Sequence, residues 1–241
     1  MQTRLCSPAV LKRVGFRCLS TNCNGDFPPG FTLLPNFLDT HEQRILLTAA
    51  LDQLDSLENK RVRRFQKQYR TLHGPSEADA FLPERLYTFQ KGHYDNVIRD
   101  YREMHLSSWG ESQTLDLSRV LNRLHTLYPS ENTQTHILHL ASEGEILPHI
   151  DNIFSSGRWI LAVSLGAARV LRMEEENTLT PKKFDVLLTS GSVYLQRDDV
   201  RYHWKHSLTR PHESMNTIDG QRVSIVVRDR KEWPQIKTGS R

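Results

Sequence analysis

The chain has 241 residues, of which 37% are hydrophobic and 25% are charged. This composition is typical of a globular domain with a sizeable core and excludes a largely disordered or fibrous chain. No run of about 18 apolar residues occurs, so we expect no membrane span. The net charge of +4 is compatible with a nucleic-acid partner, although mitochondrial matrix proteins are often basic without one.

The first 26 residues form a basic segment in which no acidic residue precedes Asp26. This composition predicts a mitochondrial presequence, with a disordered tail as the alternative. All three cysteines lie here, so the folded body has neither a disulfide framework nor a cysteine zinc site. The basic residues are Arg4, Lys12, Arg13 and Arg17, and the cysteines are Cys6, Cys18 and Cys23. We predict one folded domain over 27–232 and a flexible tail over 233–241.

The first half of the folded body has helical periodicity. A helix is predicted from Asp39 or Thr40 to Glu58, with Gln43 completing a capping box with Thr40. The basic run Lys60–Arg70 follows, either as a solvated face or as a nucleic-acid contact. The remaining predictions are a loop over His73–Glu84, a helix over Asp95–Met104 capped by Asp95 and braced by His93 and Tyr94, and a helix over Ser118–Leu127.

The second half has the pattern of short strands. Glycine-containing turns separate them and no helix intervenes, which favours an antiparallel barrel or sandwich. The chain is therefore predicted to be α+β, with helices first and a β-core second. The predicted strands are Thr135–Leu140, Trp159–Leu165, Arg169–Met173, Phe184–Leu188, Ser192–Gln196 and Arg222–Arg228, with a turn at Glu143–Glu145.

His149 and Asp151 stand two residues apart, so on an extended segment both side chains point to one face. A histidine and a carboxylate so placed are two of the three ligands that hold non-haem Fe(II) facially. His206 is the preferred third ligand, with His203 and His212 as its competitors. A catalytic zinc site of the same composition remains an alternative, although no H-E-x-x-H motif is present.

Arg222 and Arg228 stand at the two ends of a predicted strand. Their separation of six residues is even, so both guanidinium groups and Ser224 face the same side. Arginines that point into a barrel require an anion, and a dicarboxylate such as 2-oxoglutarate would supply one. The alternative is an edge strand whose arginines lie in water.

These motifs resemble those of the AlkB-type Fe(II)/2-oxoglutarate dioxygenases, in which an R-x5-R element is the distinguishing signature. The resemblance extends over about residues 31–230 and is greatest to the mitochondrial group, the seventh AlkB homologues. It implies a double-stranded β-helix (jelly-roll, cupin-like) core with N-terminal helices packed on it. It also implies that His149, Asp151 and His206 bind Fe(II), and that Arg222, Arg228, Ser224 and Tyr194 contact 2-oxoglutarate.

The resemblance implies oxidation of a C–H or N-methyl group by O2, coupled to conversion of 2-oxoglutarate into succinate and CO2. The substrate stays open between a protein and a mitochondrial RNA. We expect a monomeric matrix enzyme, and the resemblance implies roles in programmed necrosis and fatty-acid metabolism. Leu138 and Leu140 replace an Asn and a Tyr of bacterial AlkB, which argues against a conventional nucleobase pocket. The alternative function is a catalytically silent 2-oxoglutarate-binding interaction protein.

Overall fold

The computed structural model describes residues 27–74, 80–110, 114–176, 178–211 and 220–231. The predicted presequence, the three cysteines, His212 and the C-terminal tail lie outside these residues. The helices are α1 Thr40–Ser56, α2 Lys60–His73, α3 Leu115–His125 and α4 Asp198–His203, with a 3-10 turn at Glu84–Leu86. The strands are β1 Phe31–Leu34, β2 Gln90–Gly92, β3 Ile98–Leu106, β4 Thr133–His149, β5 Trp159–Gly166, β6 Arg169–Glu175, β7 Lys183–Leu188, β8 Val193–Arg197, β9 Trp204–Thr209 and β10 Arg222–Asp229.

The α1 helix begins at a capping box formed by Asp39 and Glu42. The Asp39 carboxylate accepts a hydrogen bond from the Glu42 backbone N–H, and the Glu42 carboxylate accepts one from the Asp39 backbone N–H. The predicted pairing of Thr40 with Gln43 is therefore wrong. Gln43 instead donates to the Leu38 carbonyl and accepts from Ser190, so it ties the start of the helix to the β-core.

The helix predicted over Asp95–Met104 is wrong, because these residues belong to the β2–β3 hairpin. Tyr101 and Met104 enter separate apolar clusters on opposite faces of β3, which is the alternation of a strand. Asp95 caps no helix. Its carboxylate accepts a hydrogen bond from the Val97 backbone and contacts His93 in the hairpin turn. Pairing with β4 outweighs the local helical pattern of the segment.

The long strand β4 connects two antiparallel sheets. Its first part pairs with β10, whereas Ile146 and His149 pair with β9. The register shifts where a turn was predicted at Glu143–Glu145, so the chain bends there without leaving the strand. A Cβ on Gly144 would lie 2.7 Å from the Asp100 carbonyl, so this bend requires glycine.

The strand pairings define a double-stranded β-helix. One sheet contains β1-β8-β5-β10-β4, extended by β3 and β2, and the other contains β4-β9-β6-β7. The chain crosses repeatedly between the two sheets as it proceeds from β4 to β10. The predicted fold class, a jelly-roll core in an α+β chain, is thus confirmed.

The first sheet is buried on both faces. Its outer face carries Val223 and Ile225, which pack against α1 and α3. Its inner face carries Leu138, Leu140 and Tyr194, which pack against the second sheet. The N-terminal helices therefore cover the outer face, and the space between the sheets is left for a site. No helix in the described ranges is both long and apolar enough to cross a membrane.

Candidate metal centre

Three predicted ligands meet at one end of the barrel. His149 ends β4, Asp151 follows in the next loop, and His206 lies on β9 directly opposite His149. Asp151 Oδ1 is 3.0 Å from His149 Nε2 and 3.6 Å from His206 Nε2. One possible ligand atom from each residue lies within 4.8 Å of the other two. This is the only such group of three or more His, Cys, Asp or Glu residues in the described part of the chain.

His203, one of the two histidines that competed with His206, is not in this group. His203 lies at the end of α4, and its carbonyl accepts a hydrogen bond from the Glu176 backbone. His212 lies outside the residues that the structure describes. His206 is therefore the residue that the β4–β9 pairing brings opposite His149.

Hydrogen bonds orient the group before any metal binds. His149 Nδ1 donates to the Leu147 carbonyl over 2.8 Å, which leaves Nε2 directed at the centre. The Arg228 guanidinium lies 2.8 Å from Asp151 Oδ2, so Oδ1 faces the two imidazoles. Partners of this kind fix the tautomer and the direction of metal ligands.

The protonation states of Asp151 and His206 suit a metal ion. Burial opposes the charged form of His149, but its contact with Asp151 raises the pKa of His149, so a metal would displace a proton from it. Burial alone would raise the pKa of Asp151, but the charge of Arg228 and the contact with His149 hold it well below its usual value. Burial and the neighbouring His149 lower the pKa of His206 to about 3. A carboxylate and a neutral imidazole are the forms that bind metal. Two histidines and one carboxylate on one side leave the opposite side open, as non-haem Fe(II) oxygenases require.

Arg201 supports the loop that carries Asp151, a role that sequence reasoning did not assign to it. It is fully buried on the short helix α4. Its guanidinium donates to the carbonyls of Asp151 and Asn152 over 3.1 and 3.3 Å, and to Ser156 Oγ over 2.7 Å. The sequence held no local signal for this role, because the contacts span about fifty residues.

Arg222 lies between the sheets as a buried cation. It donates to Ser164 Oγ over 3.2 Å and contacts the Ser224 hydroxyl, and it pairs with no carboxylate among the described residues. Burial lowers the pKa of Arg222 to about 10, and burial raises that of Tyr194 to about 12. At neutral pH the site therefore offers a guanidinium and a phenol that both donate hydrogen bonds. Such a site is matched to an anion.

The two arginines of the R-x5-R element have different surroundings. Both lie on β10 with Ser224, at an even spacing. Arg228 contacts Asp151. Arg222 is six residues away along β10, farther from Asp151, and Leu140 is its cross-strand partner on β4. Leu138 and Leu140 are buried on the same face, so the part of β4 beside Arg222 and Ser224 is apolar.

A polar cluster on the same face of the first sheet was also missed. Glu103 on β3 lies 2.9 Å from His136 Nε2 and 3.7 Å from His93 Nε2. His136 stacks on His105, with ring centroids 4.4 Å apart. Contact with His136 lowers the pKa of Glu103, so the carboxylate stays ionised. Reading β3 as a helix concealed this arrangement, since the helical spacing does not place residues 103 and 105 on one face.

Comparison with known proteins places the chain in a family. The sequence model of the 2OG-Fe(II) oxygenase superfamily matches residues 30–228. The protein named alpha-ketoglutarate-dependent dioxygenase alkB homolog 7, mitochondrial, is 29% identical in Mus musculus over 163 residues and 30% identical in Bos taurus over 161 residues. Each alignment covers 65% of this chain and 71% of the relative.

A solved structure agrees with the fold. The structure of OsALKBH1 is 16% identical, covers 85% of this chain and all of its own, and superimposes with a TM-score of 0.51. The chain belongs to the 2OG-Fe(II) oxygenase superfamily and is an AlkB-type dioxygenase that uses Fe(II) and 2-oxoglutarate with O2.

Proposed function

We propose that His149, Asp151 and His206 are the Fe(II) ligands of this dioxygenase. The observation that carries the proposal is their convergence within 4.8 Å, with Asp151 held by Arg228. The donor set suits iron in an open site better than a closed structural zinc site, because only three candidate ligands converge in the part of the chain that the structure describes. When bound, the iron would activate O2 for oxidation of a C–H bond.

The 2-oxoglutarate site would lie between the sheets, beside the metal centre. Arg222 would pair with the distal carboxylate, helped by Ser224 and by the Tyr194 hydroxyl. Support comes from the buried guanidinium, whose partners among the described residues are neutral hydroxyls. Arg228 would stand near the metal-binding end of the cosubstrate while it keeps Asp151 in place.

The chain's own residues would exclude water and orient both reactants. Leu138 and Leu140 are buried on the neighbouring strand β4, beside Ser224 and Arg222 on the same face, so they make the surroundings of the Arg222 guanidinium apolar. A desolvated arginine binds a carboxylate more strongly than an exposed one does. The Nδ1–H of His149 donates a hydrogen bond to the Leu147 carbonyl, so Nε2 would be the ligand atom.

The substrate proposed is a C–H or N-methyl group on a protein or on a mitochondrial RNA. The relatives named mitochondrial support a mitochondrial location, and the matrix is our proposed compartment. Roles in programmed necrosis and fatty-acid metabolism are proposed on the same family resemblance. The apolar side chains of Leu138 and Leu140 favour the protein substrate over a nucleobase.

The test is turnover of 2-oxoglutarate to succinate with Fe(II) and O2, combined with anaerobic metal titration. His149→Ala and Asp151→Ala should each abolish tight metal binding and reduce turnover to background. His203→Ala is the matched control, because His203 is close to His206 in sequence but is not one of the three proposed ligands. This substitution should leave metal binding and turnover unchanged. Metal binding and turnover that survive the two ligand substitutions would refute the assignment.

A further inference from the structure

The second helix, α2, carries charge of only one sign. Its 14 residues, KRVRRFQKQYRTLH, contain six lysines or arginines and no aspartate or glutamate. Only Gln66 is buried. A helix that is almost wholly exposed and carries one sign of charge gains little from the core, which points to a role at its outer surface.

A narrow strip attaches α2 to the rest of the protein. Gln66 donates to the Leu86 carbonyl over 3.0 Å, Arg70 pairs with Asp55 at 3.2 Å, and Arg85 lies over the Tyr69 ring. These contacts come from one side of the helix. The opposite side faces solvent.

Exposed apolar side chains lie among the cations of that opposite side. Phe65 is 45% exposed and Leu72 is 71% exposed, and seven residues separate them, so they share one face. Leu57, just before the helix, is 62% exposed. Arg61 lies over the Phe65 ring at 5.7 Å, within the same face. Exposed leucine and phenylalanine beside arginine make an amphipathic surface of the kind that lies in a membrane interface.

Most of the cations of α2 form no ion pair with a described acidic residue. No ion pair forms between any described carboxylate and the five remaining basic residues of α2, which are Lys60, Arg61, Arg63, Arg64 and Lys67. Lys60, Arg61 and Arg64 lie on the same side of the helix as Phe65, whereas Arg63 and Lys67 lie toward Asp52 and Asp55 of α1. The three cations beside Phe65 are therefore available to an external anion and are complementary to a negatively charged surface.

The surface is remote from the metal centre. Asp55, which holds α2 through Arg70, also pairs with Arg102, and Arg102 bonds to His139 on the outer face of the first sheet. Arg222 and Tyr194 project from the inner face of that sheet. The helix is therefore no wall of the cosubstrate site, and its cations would act on a separate partner.

We propose that α2 is a peripheral docking site for an anionic lipid bilayer. In this arrangement Phe65, Leu72 and Leu57 enter the headgroup region and the arginines bind lipid phosphates. The aliphatic leucines favour a bilayer over a nucleic acid, because leucine offers no aromatic face on which a base can stack. Docking would hold the enzyme at the membrane with its active site on the other side of the first sheet, open to substrate.

The test is sedimentation of the full chain with vesicles of phosphatidylcholine alone or mixed with phosphatidylglycerol. We expect binding to the mixed vesicles and release by high salt. Arg61→Glu combined with Arg64→Glu should weaken binding by at least about tenfold, since each basic residue near the surface contributes appreciably. Phe65→Ser combined with Leu72→Ser should weaken it similarly at low salt. The basic segment 1–26 is present in every variant, so only differences between variants are interpreted.

Two controls make the result specific to α2. Leu115→Ser with Leu179→Ser removes exposed leucines elsewhere, and Arg119→Glu reverses an exposed charge on α3, so both should leave binding unchanged. Equal binding by the α2 variants and the wild type would overturn the proposal. So would binding of an RNA oligonucleotide through α2 in the absence of vesicle binding. Succinate formation should be unchanged in all α2 variants, so a failure here is distinguishable from a failure of the proposed iron site.

Discussion

Arg228 and Asp151 form an ion pair of 2.8 Å that links the last strand to the loop after β4. The two residues are far apart in sequence, and both side chains are largely buried. The pair neutralises a carboxylate that would otherwise be isolated beside two imidazoles. It also determines which oxygen of Asp151 faces His149 and His206.

Loss of Arg228 should therefore weaken metal binding. We expect Arg228→Gln to reduce affinity about 10- to 100-fold, the usual effect of removing a residue that orients a ligand. Arg228→Lys keeps the charge and should retain part of the affinity. Anaerobic titration with Co(II), followed by its absorption spectrum, measures both. Wild-type affinity in Arg228→Gln would show that Asp151 needs no such partner.

Loss of Arg222 should weaken cosubstrate binding without destabilising the free protein. Replacement by methionine removes a buried cation that pairs with no carboxylate within the described ranges, so the free protein should be as stable as the wild type or more stable, by about 1–4 kcal/mol. In the wild type, 2-oxoglutarate at 100 times its Kd should add about 2.7 kcal/mol to the free energy of unfolding. Arg222→Met should lose this increment.

Chemical unfolding with and without 2-oxoglutarate measures the two effects separately. Arg169→Met is a comparison, because Arg169 is also buried but donates to backbone carbonyls such as those of Ala141 and Ser142. Its loss should destabilise the free protein. If 2-oxoglutarate raised the free energy of unfolding of Arg222→Met as much as that of the wild type, the proposed contact would be refuted.

The parts of the site that could be predicted from the sequence are those that depend on local spacing. The two-residue spacing of His149 and Asp151, and the even spacing of Arg222 and Arg228, report which side chains share a face of a strand. Both follow from the period of two alone. The choice of His206 over His203 needed the family pattern, because the register between β4 and β9 is a long-range property.

Other features had no local signal. The segment 98–106 was predicted as a helix, yet its pairing with β4 makes it a strand. Arg201 makes its contacts about fifty residues away, and so its role depends on how the barrel closes. Such contacts are properties of the tertiary fold, which composition and periodicity do not contain.

Arg201 should act as a positioning residue for Asp151. Arg201→Lys removes the fork that binds two carbonyls and the Ser156 hydroxyl at once. We expect metal affinity to fall about tenfold and the protein to be destabilised by about 1–3 kcal/mol, since buried acceptors lose their donors. Arg169→Lys should destabilise the protein comparably while metal affinity stays unchanged. Equal metal affinity in the two variants would assign Arg201 a purely structural role.

Stability should decrease in mild acid because of His139. This imidazole is fully buried, and its Nδ1 accepts a hydrogen bond from Arg102 Nε over 2.9 Å. Burial and the charge of Arg102 hold the pKa of His139 well below its ordinary value. The folded state therefore keeps His139 neutral where the unfolded state takes up a proton. The stability that this difference provides is complete above a pH of about 6.5 and is lost as the pH falls below it.

A glutamine at position 139 isolates this effect. The slope that His139 contributes should reach about 1.4 kcal/mol per pH unit, and it should disappear in His139→Gln, which keeps an acceptor for Arg102. His206 titrates in the same direction in the metal-free protein, so only the difference between variant and wild type is attributed to His139. Urea unfolding between pH 7.5 and 5 measures the slopes, and identical slopes would show that the pKa of His139 is not lowered in the folded protein.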